Sequence, residues 1–457
     1  MTRLYNYISI MTLIFLFAGC GIYSKYERPE IETENLYGEI TEETDTLSSL
    51  SDMKWFELFT DTSLQKLIAR GIEMNTDLNV ARLKVDEARA SLTSAKLAYL
   101  PSVQLAPEGA ISSYDGGNTS KTYNLGISAS WEIDLFGKLT NAKRRELAAL
   151  EESEAYKLAV QTQLIATIAE SYYTLLMLDE QVAITTETVD SWNEYIRALK
   201  ALMKSGAADR AAVSQAEASR ISAEVSLIAL KQQTIEMENS LCSLLFMQPG
   251  YVERGTLENQ TFPQQLSVGV PLELLARRPD VLQSEALLKQ SFYSTNLARS
   301  NFYPSITLSG SAGWTNSVGV AVSNPGVWLF QAVGSLVQPL FNKGENIANL
   351  KISKAQQEEA LLQFQQTLLD AGEEVNNALY KWQNARNKIT LDKEQVEYLT
   401  TALNDTQLLM KHGTVNYLEV LTCRQSLLSS RLTLVADRNE EIQSVISLYH
   451  ALGGGGY

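Results

Sequence analysis

Histidine occurs twice and cysteine three times in 457 residues. That leaves little raw material for metal-dependent or thiol-dependent chemistry. His412 and His450 have no spacing that makes a metal pair, and Cys423 falls on a helical stretch with no histidine beside it. No glycine-rich phosphate loop is present, so the chain does not hydrolyse nucleotide itself. Basic charge is short as well: 38 Lys and Arg stand against 53 Asp and Glu, a formal charge of −15. That balance excludes nucleic acid as a partner, because phosphates need a basic surface. Ten prolines and 45% hydrophobic residues exclude a disordered or collagen-like chain. The mostly apolar run from Leu4 to Ala18 is too short for a comfortable membrane-spanning helix.

That run reads instead as an address. "MTRLYNYISIMTLIFLFAGC" opens with Arg3 as a thin positive region and closes on small Ala18 and Gly19 before Cys20. "LFAGC" resembles a bacterial lipoprotein cleavage box, which makes residues 1–19 a signal peptide and Cys20 the lipid-bearing residue. The other reading is an ordinary signal peptide with an incidental cysteine. Gly21 follows Cys20, where the best-known lipoprotein sorting system uses aspartate to retain a protein at the inner membrane. The lipid on Cys20 is the only non-protein group expected; no cofactor or metal is.

The rest of the chain is written twice. "AKLAYLPSVQL" at Ala95 is echoed by "ARSNFYPSITL" at Ala298, "DLFGK" at Asp134 by "PLFNKG" at Pro339, and "KSGAAD" at Lys204 by "KHGTVN" at Lys411. The offsets are 203, 205 and 207 residues, too long for a solenoid unit and suited to a duplicated half-protein. Leu361, Leu368, Val375, Trp382, Ile389, Val396, Leu403 and Met410 recur every seventh residue. Phe364, Ala371, Ala378 and Ala385 fill companion positions, and Ile168, Leu175, Val182, Val189, Ile196 and Met203 repeat the series 207 residues earlier. Leu421, Leu428, Val435, Ile442 and Tyr449 on the returning helix match Ile221, Ile228, Ile235 and Cys242. Sustained heptads impose left-handed coiled packing, with Cys242 a small buried hydrophobe.

Each half therefore reads helix, strand, strand, very long helix, glycine turn, helix. The spacing predicts helices over 62–99, 136–204, 209–246, 272–301, 341–411 and 417–452. Strands are expected near 102–114, 121–134, 304–316 and 326–340. In "YNLGISASWEI" Tyr123, Leu125, Ile127, Ala129, Trp131 and Ile133 alternate with polar or small residues, and "SITLSGSAGW" does the same. The organisation expected is a signal peptide (1–19), a lipid-anchored connector (20–60), a first repeat (61–246), a second connector (247–270) and a second repeat (271–457). Four two-faced strands do not close a membrane barrel, which needs about eight, and lipid tolerates no open sheet edge. Several chains must pool strands. A soluble bundle with two surface hairpins would instead expose a tryptophan-bearing apolar face.

The residues now carry a family resemblance. "MKWFELFTDTSLQKLIARGIEMNTDLNVA", "SWEIDLFGK", "LARRPDV" (Leu275 to Val281) and the ending "LYHALGGGGY" resemble the TolC-like outer-membrane factors, in their lipoprotein branch. The resemblance runs from Met53 to Tyr457. It implies an α+β membrane protein: a homotrimer whose twelve-stranded outer-membrane β-barrel continues into a periplasmic α-helical coiled tunnel. It also implies a passive exit duct for small molecules such as drugs, toxic compounds or metal ions. The partners implied are a periplasmic adaptor (a membrane fusion protein), an inner-membrane pump of the RND type, and outer-membrane lipid. Two rivals remain: a duct for secreted proteins of a type I system, and a non-transporting lipid-anchored coiled stalk. A stalk has no need of two-faced strands.

Within "RRPD", Pro279 suits an early helix position, Asp280 complements the positive helix end, and Arg277 and Arg278 suit carboxylates of a packed neighbour. We read the four as a structural anchor; the alternative is an exposed charged turn. Gly206 and Gly413 offer the left-handed backbone that a helix-ending turn requires. The resemblance places Glu419, in "GTVNYLEVL", where an acid faces the pore and narrows it. The other reading of Glu419 is a solvated helix-start carboxylate. Thr422 stands where some relatives carry a second acid. Ala212 and Val415 stand where certain members carry a latch aspartate and arginine, so that salt bridge is absent.

Overall fold

The computed structural model describes residues 23–29, 53–113, 119–206, 208–260, 262, 278–318, 321–412 and 416–455. Among them the order is α1 (Trp55–Leu58), α2 (Thr62–Met74), α3 (Thr76–Leu97), β1 (Ser102–Ser112), β2 (Ser120–Ile133), α4 (Lys138–Lys204) and α5 (Arg210–Leu244). A single 3-10 turn at Leu257–Asn259 precedes α6 (Pro279–Ser300), β3 (Ser305–Val318), β4 (Ala321–Val337), α7 (Glu345–Lys411) and α8 (Tyr417–Ala451). The duplication is metrically strict in its helices. α3 and α6 each have 22 residues, α4 and α7 each 67, and α5 and α8 each 35.

Several expectations about boundaries change: β4, expected near 326–340, spans Ala321–Val337, and α7, expected from 341, starts at Glu345. The helix expected over 62–99 breaks at Asn75, whose ψ of 132° is extended. Its side chain explains the break: Oδ1 accepts from Leu78 N at 3.0 Å and so caps α3, while Nδ2 donates to Leu244 O at the end of α5, also at 3.0 Å. The helix expected over 272–301 starts, among the described residues, at Pro279. At α4 the start is set by Asp134, whose carboxylate accepts from Leu139 N (3.0 Å), Thr140 N (2.8 Å) and the Thr140 hydroxyl (2.6 Å). The turn ahead of it ends on Gly137 with φ 71°, and its counterpart on Gly344 with φ 82°. These are 207 residues apart, so the likeness of "DLFGK" to "PLFNKG" at 205 is two residues out of step with the elements around it.

The chain folds into two compact units that cut across the repeats. One takes residues 1–32, 84–154 and 282–366; the other takes 33–83, 155–281 and 367–457. The first holds the sheet, antiparallel throughout in the order β1-β2-β3-β4, so β1 and β4 are its free edges. Pro107 lies on β1, where a missing N–H is least costly.

The second unit is helical, and its core follows the heptads. Leu368, Val375, Trp382 and Ile389 of α7 are buried with Ala371, Ala378 and Ala385, as are Ile168, Leu175 and Ile196 of α4. Phe59, fully buried after α1, packs between Tyr173 of α4 and Tyr449 of α8, with ring centroids 6.5 and 6.2 Å away. Leu421, Leu428, Val435, Ile442 and Tyr449 of α8 are all buried. On α5 the matching expectation fails in part: Cys242 is buried, but Ile221, Ile228 and Ile235 are exposed, Ile228 at 67%. A heptad marks a seam without naming its partner, and this seam finds none among the described residues.

Candidate functional site

The register assigns every strand residue to a face. Leu105 lies opposite Ile127, Ile127 opposite Ala312, and Ala312 opposite Phe330. On the same face Leu125, Trp314 and Trp328 stand in a row, the two indoles edge to face at 5.7 Å. This face is apolar except at the loop end, where Lys121 stands opposite Ile111, and Phe330 is 73% exposed on it. Along β3 it runs from Ile306 to Trp314, ~27 Å of strand at ~3.4 Å per residue. A strand tilt of about 40° projects this to ~21 Å, close to the ~25 Å apolar band of an outer-membrane barrel.

The opposite face carries Gln104, Ser128, Ser309, Ser311 and Gln331 around a hollow of about 410 Å³, so the sheet curls toward its polar side. β4 departs from the pattern by placing Val333 on this polar face as well. Just beyond β4, Leu340 is 94% exposed. Among the described residues no helix is long and apolar enough to cross a membrane.

Cys20 lies outside the described residues. Tyr23, close behind it in sequence, is placed: a Cβ added to Gly137 at the foot of β2 would come 3.1 Å from its ring. The chain then runs along the first unit, with Tyr26 against Phe292 (5.7 Å) and Arg28 over the Phe364 ring (5.6 Å) and 3.6 Å from Glu285.

The helix turns belong to the second unit. Gly206, with φ 77° and open space where a Cβ would point, closes α4 by donating its N–H to Met203 O at 3.1 Å. Asp209 then caps α5 by accepting from Ala212 N at 2.7 Å, and Ala212 itself is buried. Gly413 and Val415 lie outside the described residues. Glu419 is exposed on the first turn of α8, and Thr422, also exposed, donates its hydroxyl to Leu418 O at 2.9 Å.

Behind the turns Trp192, Tyr195 and Leu199 of α4 pack with Ala212, Val213 and Ala216 of α5 and with Val420 and Leu421 of α8. Arg424 of α8 inserts its guanidinium beside this cluster, 4.9 Å from the Tyr195 ring centre and 5.6 Å from Trp192, and hydrogen-bonds Ser191 Oγ. Burial lowers its pKa below the ordinary arginine value. Sequence reasoning missed this contact, because Ser191 and Arg424 are 233 positions apart.

"RRPD" is a clamp at Arg278; Arg277 lies outside the described residues. Pro279 is the first residue of α6. The Arg278 side chain is 4% exposed. It donates in a fork to both Asp280 oxygens (3.0 and 2.7 Å), to Glu374 Oε2 on α7 (2.7 Å) and to Ala451 O, the last residue of α8 (2.7 Å). Burial alone would lower the Arg278 pKa, but its hydrogen bonds to Asp280 and Glu374 prevail and raise it. Burial would raise Asp280 and the same fork holds it below the ordinary aspartate value. His450, one residue from the clamp's carbonyl, has its pKa lowered by burial and then by Arg278. The glycine ending fits here too: a Cβ on Gly454 would meet the Tyr449 ring at 2.3 Å. A second clamp, unread in the sequence, sits in the 247–270 connector. Arg254, 5% exposed, donates to both Asp179 oxygens (2.6 and 3.0 Å) and to Glu238.

The family model described as "Outer membrane efflux protein" matches residues 67–245 and 270–454. The cation efflux system protein CusC of Escherichia coli K12 is 28% identical over 446 residues, 96% of each chain. The toluene efflux pump outer membrane protein TtgC of Pseudomonas putida is 28% identical over 465 residues, 98% of this chain and 96% of that one. Among solved structures, CusC aligns with a TM-score of 0.84 at 27% identity, covering 95% of this chain and all of the other. The open state of the Neisseria gonorrhoeae MtrE outer membrane channel aligns with a TM-score of 0.86 at 27% identity over 95% and 98% of the two chains.

Proposed function

The chain belongs to the outer membrane efflux protein family, and from that premise we propose that three copies pool their four strands each into one twelve-stranded barrel. It is an outer-membrane efflux duct, not an enzyme. The observation that carries the trimer is the sheet itself: one face apolar but for Lys121 at the loop end, the other mainly polar and hollow, and two free edges that lipid does not tolerate. The exposed seam of Ile221, Ile228 and Ile235 on α5 supports the same reading, since it is a coiled-coil stripe that no helix covers among the described residues.

In this assembly the helices form a periplasmic tunnel, met by a periplasmic adaptor and fed by an inner-membrane pump of the RND type. The lipid is carried on Cys20. Tyr23 lies at the foot of β2, and three residues of chain reach at most ~11 Å, which keeps the acyl chains at the membrane boundary. The cargo is a small toxic solute, a metal cation or an organic compound, the classes named in its relatives CusC and TtgC. Glu419 narrows the periplasmic end, three copies converging there.

Native mass measurement of the purified protein in detergent is expected to give three copies; a monomer that stays a monomer would end the reading. In planar bilayers the parent conducts cations in preference and is blocked by multivalent cations, because converging carboxylates bind them. Glu419→Gln is expected to remove the block while leaving the trimer intact. Equal block of parent and variant would move the ring elsewhere.

A further inference from the structure

The internal repeat determines how neighbouring copies pair their edge strands, an inference that rests on the trimer proposed above. Two offsets superimpose the hairpins. An offset of 203 takes the start of β1 at Ser102 to the start of β3 at Ser305, and Tyr99 to Phe302. An offset of 207 takes Trp131 to Gln338, Gly137 to Gly344, and the start of α4 at Lys138 to that of α7 at Glu345. Side chains confirm the match: Trp131 Nε1 donates to Tyr99 O at 2.9 Å, and Gln338 Nε2 donates to Phe302 O at 3.0 Å. So does the ladder. Ser102 pairs with Ser130 in the first hairpin, and the same two offsets give Ser305 with Val337, the pair found in the second.

Within one chain the halves meet along β2 and β3, where Ser130 pairs with Ser309, Ser128 with Ser311 and Gly126 with Gly313. In a closed ring the halves of different copies meet along β4 and β1. We propose that this seam repeats the β2–β3 register: Val337 lies opposite Ala106 of the partner subunit, Ser335 opposite Glu108 of the partner subunit, and Val333 opposite Ala110 of the partner subunit.

Three features of the chain fit. The intrachain ladder spans Asn124 to Ile133 on β2; shifted by 207 it covers 331–340, and its β3 side shifted back by 203 covers 103–112. That is β1 almost from end to end. Both faces stay in phase, because Gly334 and Leu336 then meet Gly109 and Pro107 of the partner subunit on the apolar side. The register also accounts for part of the anomaly of β4: of its apolar residues on the polar face, Val333 and Val337 oppose two alanines, while Val327 and Leu329 lie beyond the seam, opposite Thr315 and Gly313 of β3. Leu340, the most exposed large hydrophobic side chain among the described residues, then joins the strand opposite Val103 of the partner subunit, facing lipid.

The test is disulfide trapping in the full-length protein. Directly opposed residues have Cβ atoms ~4.5–5.5 Å apart and diagonal ones ~7–8 Å, whereas a disulfide needs ~3.5–4.5 Å. The pairs Val337→Cys with Ala106→Cys and, separately, Val333→Cys with Ala110→Cys are expected to give dimer and trimer bands on non-reducing gels after mild oxidation. The shifted pairs, Val337→Cys with Gln104→Cys or with Glu108→Cys, should give about tenfold less, since two residues of slip put the sulfurs out of reach. Ser130→Cys with Ser309→Cys is the intrachain control and should close without raising the mass. A shifted pair that traps best overturns the register while leaving the trimer standing. No trapping from a preparation whose native mass is trimeric overturns it equally. A native mass that is not trimeric removes the register together with the trimer. The two opposed pairs share no residue, so a folding defect at one does not silence the test.

Discussion

Arg278 shows what a single side chain holds together. Its fork ties the entrance of α6 to Glu374 on α7 and to the end of α8, almost without solvent. Removing one partner of a buried ion pair strands the other charges, at a cost of ~3–5 kcal/mol. Arg278→Ala is expected to lose stability on that scale in denaturant unfolding, and Arg278→Lys to recover little, because an ammonium offers no planar fork. A lysine variant as stable as the parent would reduce the clamp to simple charge. Asp392 tests the opposite sign. It sits on α7 facing Asp437 of α8, and burial, then that carboxyl, push its pKa up to about 6, against the pull of Lys388. A raised acid pKa means that the folded chain holds a proton the unfolded chain has released, so stability rises as pH falls through about 6 and the ionised pair opposes folding above it. Asp392→Asn should therefore melt higher than the parent at pH 7.5 and alongside it at pH 4.5. An equal shift at both pH values would show that charge is not the cause. These residues mark the limit of reading from sequence. "RRPD" announced itself by its proline and its charges. Arg254 and Arg424 did not, since Asp179 and Ser191 lie 75 and 233 positions away and no local pattern joins them.

At the scale of elements, strands were the easiest to read, because a period of two assigns a face to each residue without knowledge of any partner. Ile127 and Ser128 make the test. Ile127 stands between Leu105 and Ala312 on the apolar face, and Ser128 between Gln104 and Ser311 over the hollow. Lysine at Ile127 is expected to cost ~2–4 kcal/mol of barrel stability, read as loss of heat-resistant oligomer, while lysine at Ser128 should be mild. Equal tolerance would mean that the faces are misassigned. The helices were legible in existence and length but not in partnership. The heptads of α7 from Leu368 to Ile389, and those of α8, led to buried residues, whereas the same period on α5 led to a bare seam at Ile228. The break at Asn75 was overlooked because helical spacing continues across it. Its signal is the run "NTD", a capping residue followed by an acid.

For the molecule as a whole, the proposed anchor on Cys20 and the barrel are expected to be separable means of holding the membrane. Cys20→Ser is expected to abolish incorporation of labelled fatty acid, yet to leave a protein that fractionates with the outer membrane through its strands. Mass spectrometry of the mature protein should find no residues 1–19; an intact leader would contradict the lipid anchor. The repeated plan was visible in the sequence as echoed words. Its division in space was not, because each compact unit draws on both halves and no composition shift marks the crossing.

The equal helix lengths of the two halves carry one more consequence. One added residue would advance a helix by ~1.5 Å and turn everything beyond it by ~100°, so a 67-residue helix behaves like a threaded shaft whose far end indexes against its neighbours. The halves differ by no residue in any of the three shared helix pairs. The whole drift, from an offset of 203 to one of 207, falls inside the hairpin, between the start of β3 and the end of β4. That difference is even, and in a pleated strand an even step leaves inside and outside where they were. Among the described residues, the two halves differ in spacing only where the difference does not rotate a helix.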